Sequence, residues 1–142
     1  METPYSEGEE TVFDKIIKRE ISADIVYEDE ETLAFLDINP RNPGHTLVVP
    51  KKAARNIFDA DDDTLAAVMR TVKKIAPAVQ KSVDADGINI GINNEAAAGQ
   101  VVFYLHAHII PRFADESFPT KAKYEPGEAT AIAEKIRTRL ST

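Results

Sequence analysis

A chain of 142 residues is the size of a single domain, able to bury about two-thirds of the surface that its unfolded form exposes. Apolar residues at 43% and charged residues at 29% exclude a disordered chain, and no apolar run nears the roughly 20 residues that span a bilayer. A net charge of −7 opposes binding to a phosphate backbone, and the absence of cysteine removes disulfides, thiolate metal sites and cysteine nucleophiles.

The opening METPYSEGEE is polar and acidic where a secretory leader needs a basic start and an apolar stretch. Residues 1–11 are therefore expected to form a flexible tail on a cytoplasmic protein with no membrane or nucleic-acid partner. Val12, Phe13, Ile16 and Ile17 recur at helical spacing and predict a short amphipathic helix. Two extended segments, Asp24 to Tyr27 and Thr32 to Ile38, flank the acidic turn Glu28-Asp29-Glu30-Glu31 and read as a hairpin. Asn39-Pro40-Arg41-Asn42-Pro43-Gly44 is dense in turn formers and leads into a third strand, His45 to Val49, closed by Pro50.

Asp61-Asp62-Asp63 precedes a helix with Leu65, Val68, Met69, Val72, Ile75, Ala76 and Val79 on one face. Acids at a helix start cap it and complement its dipole, so the run reads as capping and not as a metal site. Pro77 inside this pattern predicts a kink or an early end to the regular helix. From Gly87 to Asn93, Ile88, Ile90 and Ile92 alternate with Asn89, Gly91 and Asn93, as in a strand with one oily face. A loop of small residues, Glu95 to Gly99, precedes a fifth strand from Val101 to Ile110. The irregular stretch Phe113 to Gly127 reads equally as a functional loop or a packed connector. An amphipathic helix carrying Ile132, Ala133, Ile136 and Leu140 ends the chain. This order predicts an α+β fold: a mostly antiparallel five-stranded sheet with a long central helix and a C-terminal helix.

Two of the three histidines fall in Tyr104-Leu105-His106-Ala107-His108, inside the predicted fifth strand. Alternation puts Tyr104, His106 and His108 on one face and Leu105, Ala107 and Ile109 on the other. Imidazole can act as nucleophile, acid, base or metal ligand near neutral pH, so this face alone does not choose among them. Upstream, Asn93, Asn94, Gly99 and Gln100 lie in a loop whose backbone and side-chain amides suit a phosphate. Together they suggest an anion site with a nucleophile beside it.

The run Gly99-Gln100-Val101-Val102-Phe103-Tyr104-Leu105-His106-Ala107-His108-Ile109-Ile110-Pro111-Arg112 resembles the histidine-triad signature in its bacterial and archaeal, Hint-like form. That signature is His-x-His-x-His followed by two apolar residues. The stretch from Phe35 to Lys51 resembles the same family's N-terminal strand and loop, and Phe13 to Ile17 its first helix. The resemblance covers residues 12–112, which implies a histidine-triad domain there and a C-terminal extension, 113–142, belonging to the same domain. It implies that His106 attacks the α-phosphorus of a purine nucleotide, while His108 contacts phosphate and helps protonate the leaving group. Asp37 would bind the ribose, and Phe13, Ile16, Ile21 and Leu47 would form an apolar slot for the base. Asn93, Gly99 and Gln100 would contact phosphate, and His45 would brace the triad. Phosphoramidates and dinucleoside polyphosphates are the implied substrates, with a homodimer as the working form and no cofactor. Two rivals remain: a nucleotide-binding or sensing protein with little turnover, and a metal site built from His45, His106 and His108.

The chain departs from the family pattern in three places. Tyr104 stands at the first triad position, where its carbonyl can still hold the His106 tautomer and its hydroxyl can make a secondary contact, with His45 as the expected partner. Val101 replaces a hydroxyl that often touches phosphate. The cysteines that give some bacterial relatives a structural zinc are missing, so no metal is expected.

Overall fold

The structure, a computed structural model, describes residues 10–116 and 122–141. The tail residues 1–9 and part of the stretch from Phe113 to Gly127 lie outside these. Helix α1 spans Val12–Ile17, strands β1 to β3 span Ile25–Glu28, Thr32–Leu36 and Thr46–Pro50, and helix α2 spans Asp62–Ser82. Strand β4 (Gly87–Gly91), a 3₁₀ turn (Ala96–Ala98), strand β5 (Ala107–Arg112) and helix α3 (Glu128–Leu140) complete the order. The strands form one antiparallel sheet in the order β1-β2-β3-β5-β4, giving the α+β architecture expected.

Local chemistry explains the boundaries. Thr11 caps α1 in a reciprocal box with Asp14, each side chain taking the other's backbone N–H. Asp29 turns the first hairpin by accepting from the N–H groups of Glu31 and Thr32, both at 2.8 Å. Asp61 caps α2 through the Thr64 N–H at 2.7 Å. The helix then runs past Pro77 to Ser82, contrary to the expectation of an early end. Pro77 is exposed, and the carbonyl it leaves unbonded belongs to exposed Lys73, while buried Ala78 and Val79 keep the next turn on the core.

The sheet is covered on both faces, which is why all five residues of β2 and all five of β3 are buried. On one face, Ala34, Leu36, Val48, Leu105, Ala107 and Ile109 pack against α2 and against Ile132, Ala133 and Ile136 of α3. On the other, Leu33, Phe35, Leu47 and Val49 pack beneath Phe13 and Ile16 of α1, together with Tyr104. Burying side chains of this size contributes about 1.5–3 kcal/mol each. Because α1 is short, it leaves part of this second face open, and the histidines stand at its margin. Among the described residues no helix is long and apolar enough to cross a membrane.

The fifth strand differs from expectation. It begins at Ala107 instead of Val101, so Tyr104 and His106 precede it. The register that pairs Val48 with Ala107 would set Pro50 against Leu105, and Pro50 has no N–H with which to extend the ladder. The Leu105 N–H goes instead to the carbonyl of Ala54, 2.8 Å away. Alternation nonetheless survives through this loop: Leu105 joins the core under α2, and Tyr104 the cluster under α1.

Candidate active site

Register builds the site. Leu47 of β3 sits opposite His108 of β5, so His45, two residues before Leu47, reaches His108 diagonally. Their ring nitrogens, His45 Nε2 and His108 Nδ1, are 2.9 Å apart. Asp37 lies across from His45 because its N–H donates to the His45 carbonyl at 2.9 Å. Its carboxylate comes within 3.7 Å of His45 Nε2 and accepts the Asn39 N–H at 2.9 Å. His106 packs edge-on to Phe13 at 5.0 Å and to His108 at 4.9 Å between ring centres.

The loop before His45 is locked from several sides. The Asn42 side-chain amide donates to the Pro111 carbonyl at 2.8 Å and to Glu116 at 2.7 Å, and the Gly44 N–H donates to the Tyr124 hydroxyl at 3.0 Å. Gly44 is required here: its φ is +95°, and a Cβ would stand 3.0 Å from Val83.

Hydrogen bonds with backbone groups of fixed polarity decide the tautomers. The Tyr104 carbonyl can only accept, so His106 Nδ1, 2.6 Å away, carries the proton and Nε2 keeps its lone pair. The Arg41 N–H can only donate, and it meets His45 Nδ1 at 3.0 Å. The His45 proton therefore sits on Nε2 and is donated to His108 Nδ1, which places the His108 proton on Nε2. That nitrogen is buried and without a partner among the described residues. Burial holds all three imidazoles neutral. It lowers His106 below the usual histidine value, against the opposing pull of the Tyr104 carbonyl. Burial, then the neighbouring histidine and Arg41 charges, take His45 to about 3 and His108 to about 4. Asp37 is shifted up by its own burial.

A cleft of about 240 Å³ opens beside this relay, lined by Arg41, His45, His108 and Asn93, with Asn89 and Arg112 among the other walls. Phe13, Ile16 and Leu47, expected against the base, are only 6%, 7% and 4% exposed and share one apolar cluster. Ile21, 39% exposed, lies outside that cluster. Gly99 closes the 3₁₀ turn at φ +93°, and its N–H is bonded to the Ala96 carbonyl at 3.0 Å.

Gln100 has a different role from the one expected. Its Nε2 donates to the carbonyls of Arg55 and Val102, and its Oε1 accepts from Asn56 and from the Glu95 N–H. Its backbone N–H goes to the Glu95 carbonyl, so no donor remains for a phosphate. It braces the loop around Glu95, whose φ of +80° is held by a two-pronged bond to Arg55 at 2.9 and 2.7 Å. Arg55 in turn lies 4.4 Å over the Phe103 ring. Sequence reasoning missed Arg55, Glu95, Asn56 and Arg41. A lone acid amid alanines and a lone cation amid prolines were the available signals.

The Tyr104 hydroxyl donates to the Pro50 carbonyl and not to His45 as expected. The metal grouping weighed from sequence also changes membership. Asp37, His45 and His108 offer ligand atoms within 4.8 Å of one another, whereas His106 stands outside the group.

The chain is similar to several known proteins. A model described as the HIT domain matches residues 18–115. The chain is 54% identical over 102 residues to an uncharacterized HIT-like protein of Methanocaldococcus jannaschii, covering 72% of this chain and 78% of that one. It is 36% identical over 135 residues to the adenylylsulfatase HINT3 of Arabidopsis thaliana, covering 91% and 68%. The crystal structure of a hypothetical histidine triad nucleotide-binding protein from Sulfolobus tokodaii superposes with a TM-score of 0.85 at 38% identity, covering 92% and 91%. With a five-stranded antiparallel sheet like that of solved HIT structures and a family model matched over most of its length, the chain belongs to the HIT family.

Proposed function

We propose that this protein hydrolyses purine nucleotides at the α-phosphorus through a nucleotidyl intermediate on His106, releasing a nucleoside monophosphate. The observation that carries the reading is the 2.6 Å bond from His106 Nδ1 to the Tyr104 carbonyl, which leaves the Nε2 lone pair of a neutral imidazole unprotonated. Family membership supports it, as does the adenylylsulfatase named among the relatives.

In the first step a bond forms between His106 Nε2 and the α-phosphorus while the bond to the leaving group breaks. His108 Nε2–H is the donor for that group. Water then attacks the phosphorus, the P–N bond to His106 breaks, and the proton from water returns to His108 where the leaving group took one, or passes to solvent where the group left as an anion. Charge on the phosphoryl oxygens is met by Asn93, with no metal in the scheme. Asp37 binds the ribose, and the base lies against Phe13, Ile16, Ile21 and Leu47. His45 holds the His108 tautomer. Tyr104 does not disable the nucleophile, because any side chain at that position brings the same carbonyl.

Mass spectrometry of protein quenched during turnover of an adenosine phosphoramidate tests this. The expected result is a nucleotidyl adduct that His106→Ala lacks, with turnover of the variant below about a thousandth of wild type and monophosphate binding within about tenfold. A variant that keeps a tenth of the activity removes the nucleophile assignment.

We further propose that residues 113–142 complete the same domain and that the working form is a cytoplasmic homodimer. β4 is an edge strand, and Ile90 on it and Met69 on α2 are 43% and 40% exposed, an unpaired ladder beside an apolar surface. Light scattering that reports a monomer at micromolar concentration overturns the dimer.

A further inference from the structure

Resting on the hydrolase reading above, we infer that Arg41 binds the leaving group, and that the cleft is built for nucleotides whose leaving group is an anion such as phosphate, polyphosphate or sulfate. The cleft beside His45 and His108 has no carboxylate in its lining, although the chain carries 24 acidic residues. Its two cations differ in their engagements. Arg112 is tied to Glu116 and to Asn89. The Arg41 guanidinium has no ion-pair partner among the described residues.

Arg41 is also rooted at the relay. Its backbone N–H holds His45 Nδ1 at 3.0 Å, and its positive charge is close enough to lower the proton affinity of both His45 and His108. Arg41, Asn93 and His108, whose buried Nε2–H has no partner among the described residues, all line this one small cleft.

The chemistry distinguishes two leaving-group classes. When His106 Nε2 bonds to the α-phosphorus, the electron pair of the broken bond stays on the departing atom. A departing amine needs a proton, which His108 supplies, and a guanidinium offers it nothing. A departing sulfate or phosphate leaves as an anion, and it is stabilised by a planar, permanently charged donor that can bind two oxygens at once. Arg41 serves the second class.

The test compares kcat/KM for adenosine 5′-phosphosulfate and for an adenosine phosphoramidate with an alkylamine leaving group, in wild type, Arg41→Ala and Arg41→Lys. Arg41→Ala is expected to lose about 10- to 100-fold on the phosphosulfate, the scale of a charged hydrogen bond, and to stay within about threefold on the phosphoramidate. Arg41→Lys should fall between, keeping charge but losing the paired contact. Equal losses on both substrates, or no loss on the phosphosulfate, overturn the inference. Should wild type turn over neither substrate, the hydrolase reading fails, and calorimetric binding of inorganic pyrophosphate to wild type and Arg41→Ala decides the anion site alone. About tenfold weaker binding supports it, and unchanged binding overturns it.

Discussion

The Tyr104 hydroxyl donates to the Pro50 carbonyl at 2.5 Å, inside the apolar cluster beneath α1, so it ties the loop before β5 to the end of β3. The bond takes over where the β3–β5 ladder stops. It also separates the two functions of this residue: the carbonyl serves His106, and the side chain serves the fold.

Tyr104→Phe should therefore leave kcat/KM nearly unchanged, well under the roughly 1.5 kcal/mol of one neutral hydrogen bond, because the carbonyl is retained. Stability should fall by about 1–3 kcal/mol, since the Pro50 carbonyl would stay buried without its donor. Urea unfolding and steady-state kinetics on the same samples read both quantities. A hundredfold kinetic loss with unchanged stability would falsify the division of labour.

Periodicity read the fold well wherever one face of an element is buried. Ile75 and the valines of α2 and the alternating residues of β2 and β3 report directly on a core that packs both sides of the sheet. It read the approach to His106 poorly, because ten residues of β-forming character, Val101 to Ile110, conceal the point where pairing stops. That point is set by a proline on another strand, which no local pattern reveals. His45, His106 and His108 were legible as residues, and so was their common face. The proton arrangement was not, since it depends on the Arg41 N–H and the Tyr104 carbonyl and thus on register across the sheet. Gln100 shows the converse case. A side-chain amide in a small-residue loop suits a phosphate, yet its capacity is consumed by partners from residues 55, 56, 95 and 102.

The relay from Arg41 through His45 to His108 makes His45 a positioning residue whose effect is carried by a proton. His45→Ala lets His108 adopt either tautomer and should lower kcat/KM on a phosphoramidate by about 10- to 100-fold, up to the lower part of the range for losing a general acid. His45→Gln can accept from Arg41 and donate to His108, so it should recover most of that loss. If Ala and Gln variants are equally impaired at equal stability, the relay does not set the tautomer.

Acid should destabilise the protein well before its carboxylates titrate. His45, His108 and His106 are all pushed below the ordinary histidine value by burial, to about 3 and about 4 for the first two. In the unfolded chain each titrates near about 6.5. Between those values the unfolded state binds more protons, so stability is full above about pH 6.5 and is lost as pH falls through this window. The raised Asp37 acts in the opposite sense, while Glu95 and Glu116 are lowered by Arg55 and Arg112 and act in the same sense. Each histidine that stays neutral should remove about 1 kcal/mol between pH 7.5 and 5.5. Urea midpoints at the two values measure the sum, and His108→Gln should lose less than wild type by about one histidine's share. Catalysis should follow a separate limit: the acid fall of kcat/KM should lie below the ordinary histidine value, since burial lowers the pH at which His106 loses its lone pair. A protein equally stable at pH 5.5 and 7.5 would show that these imidazoles are not held neutral by burial.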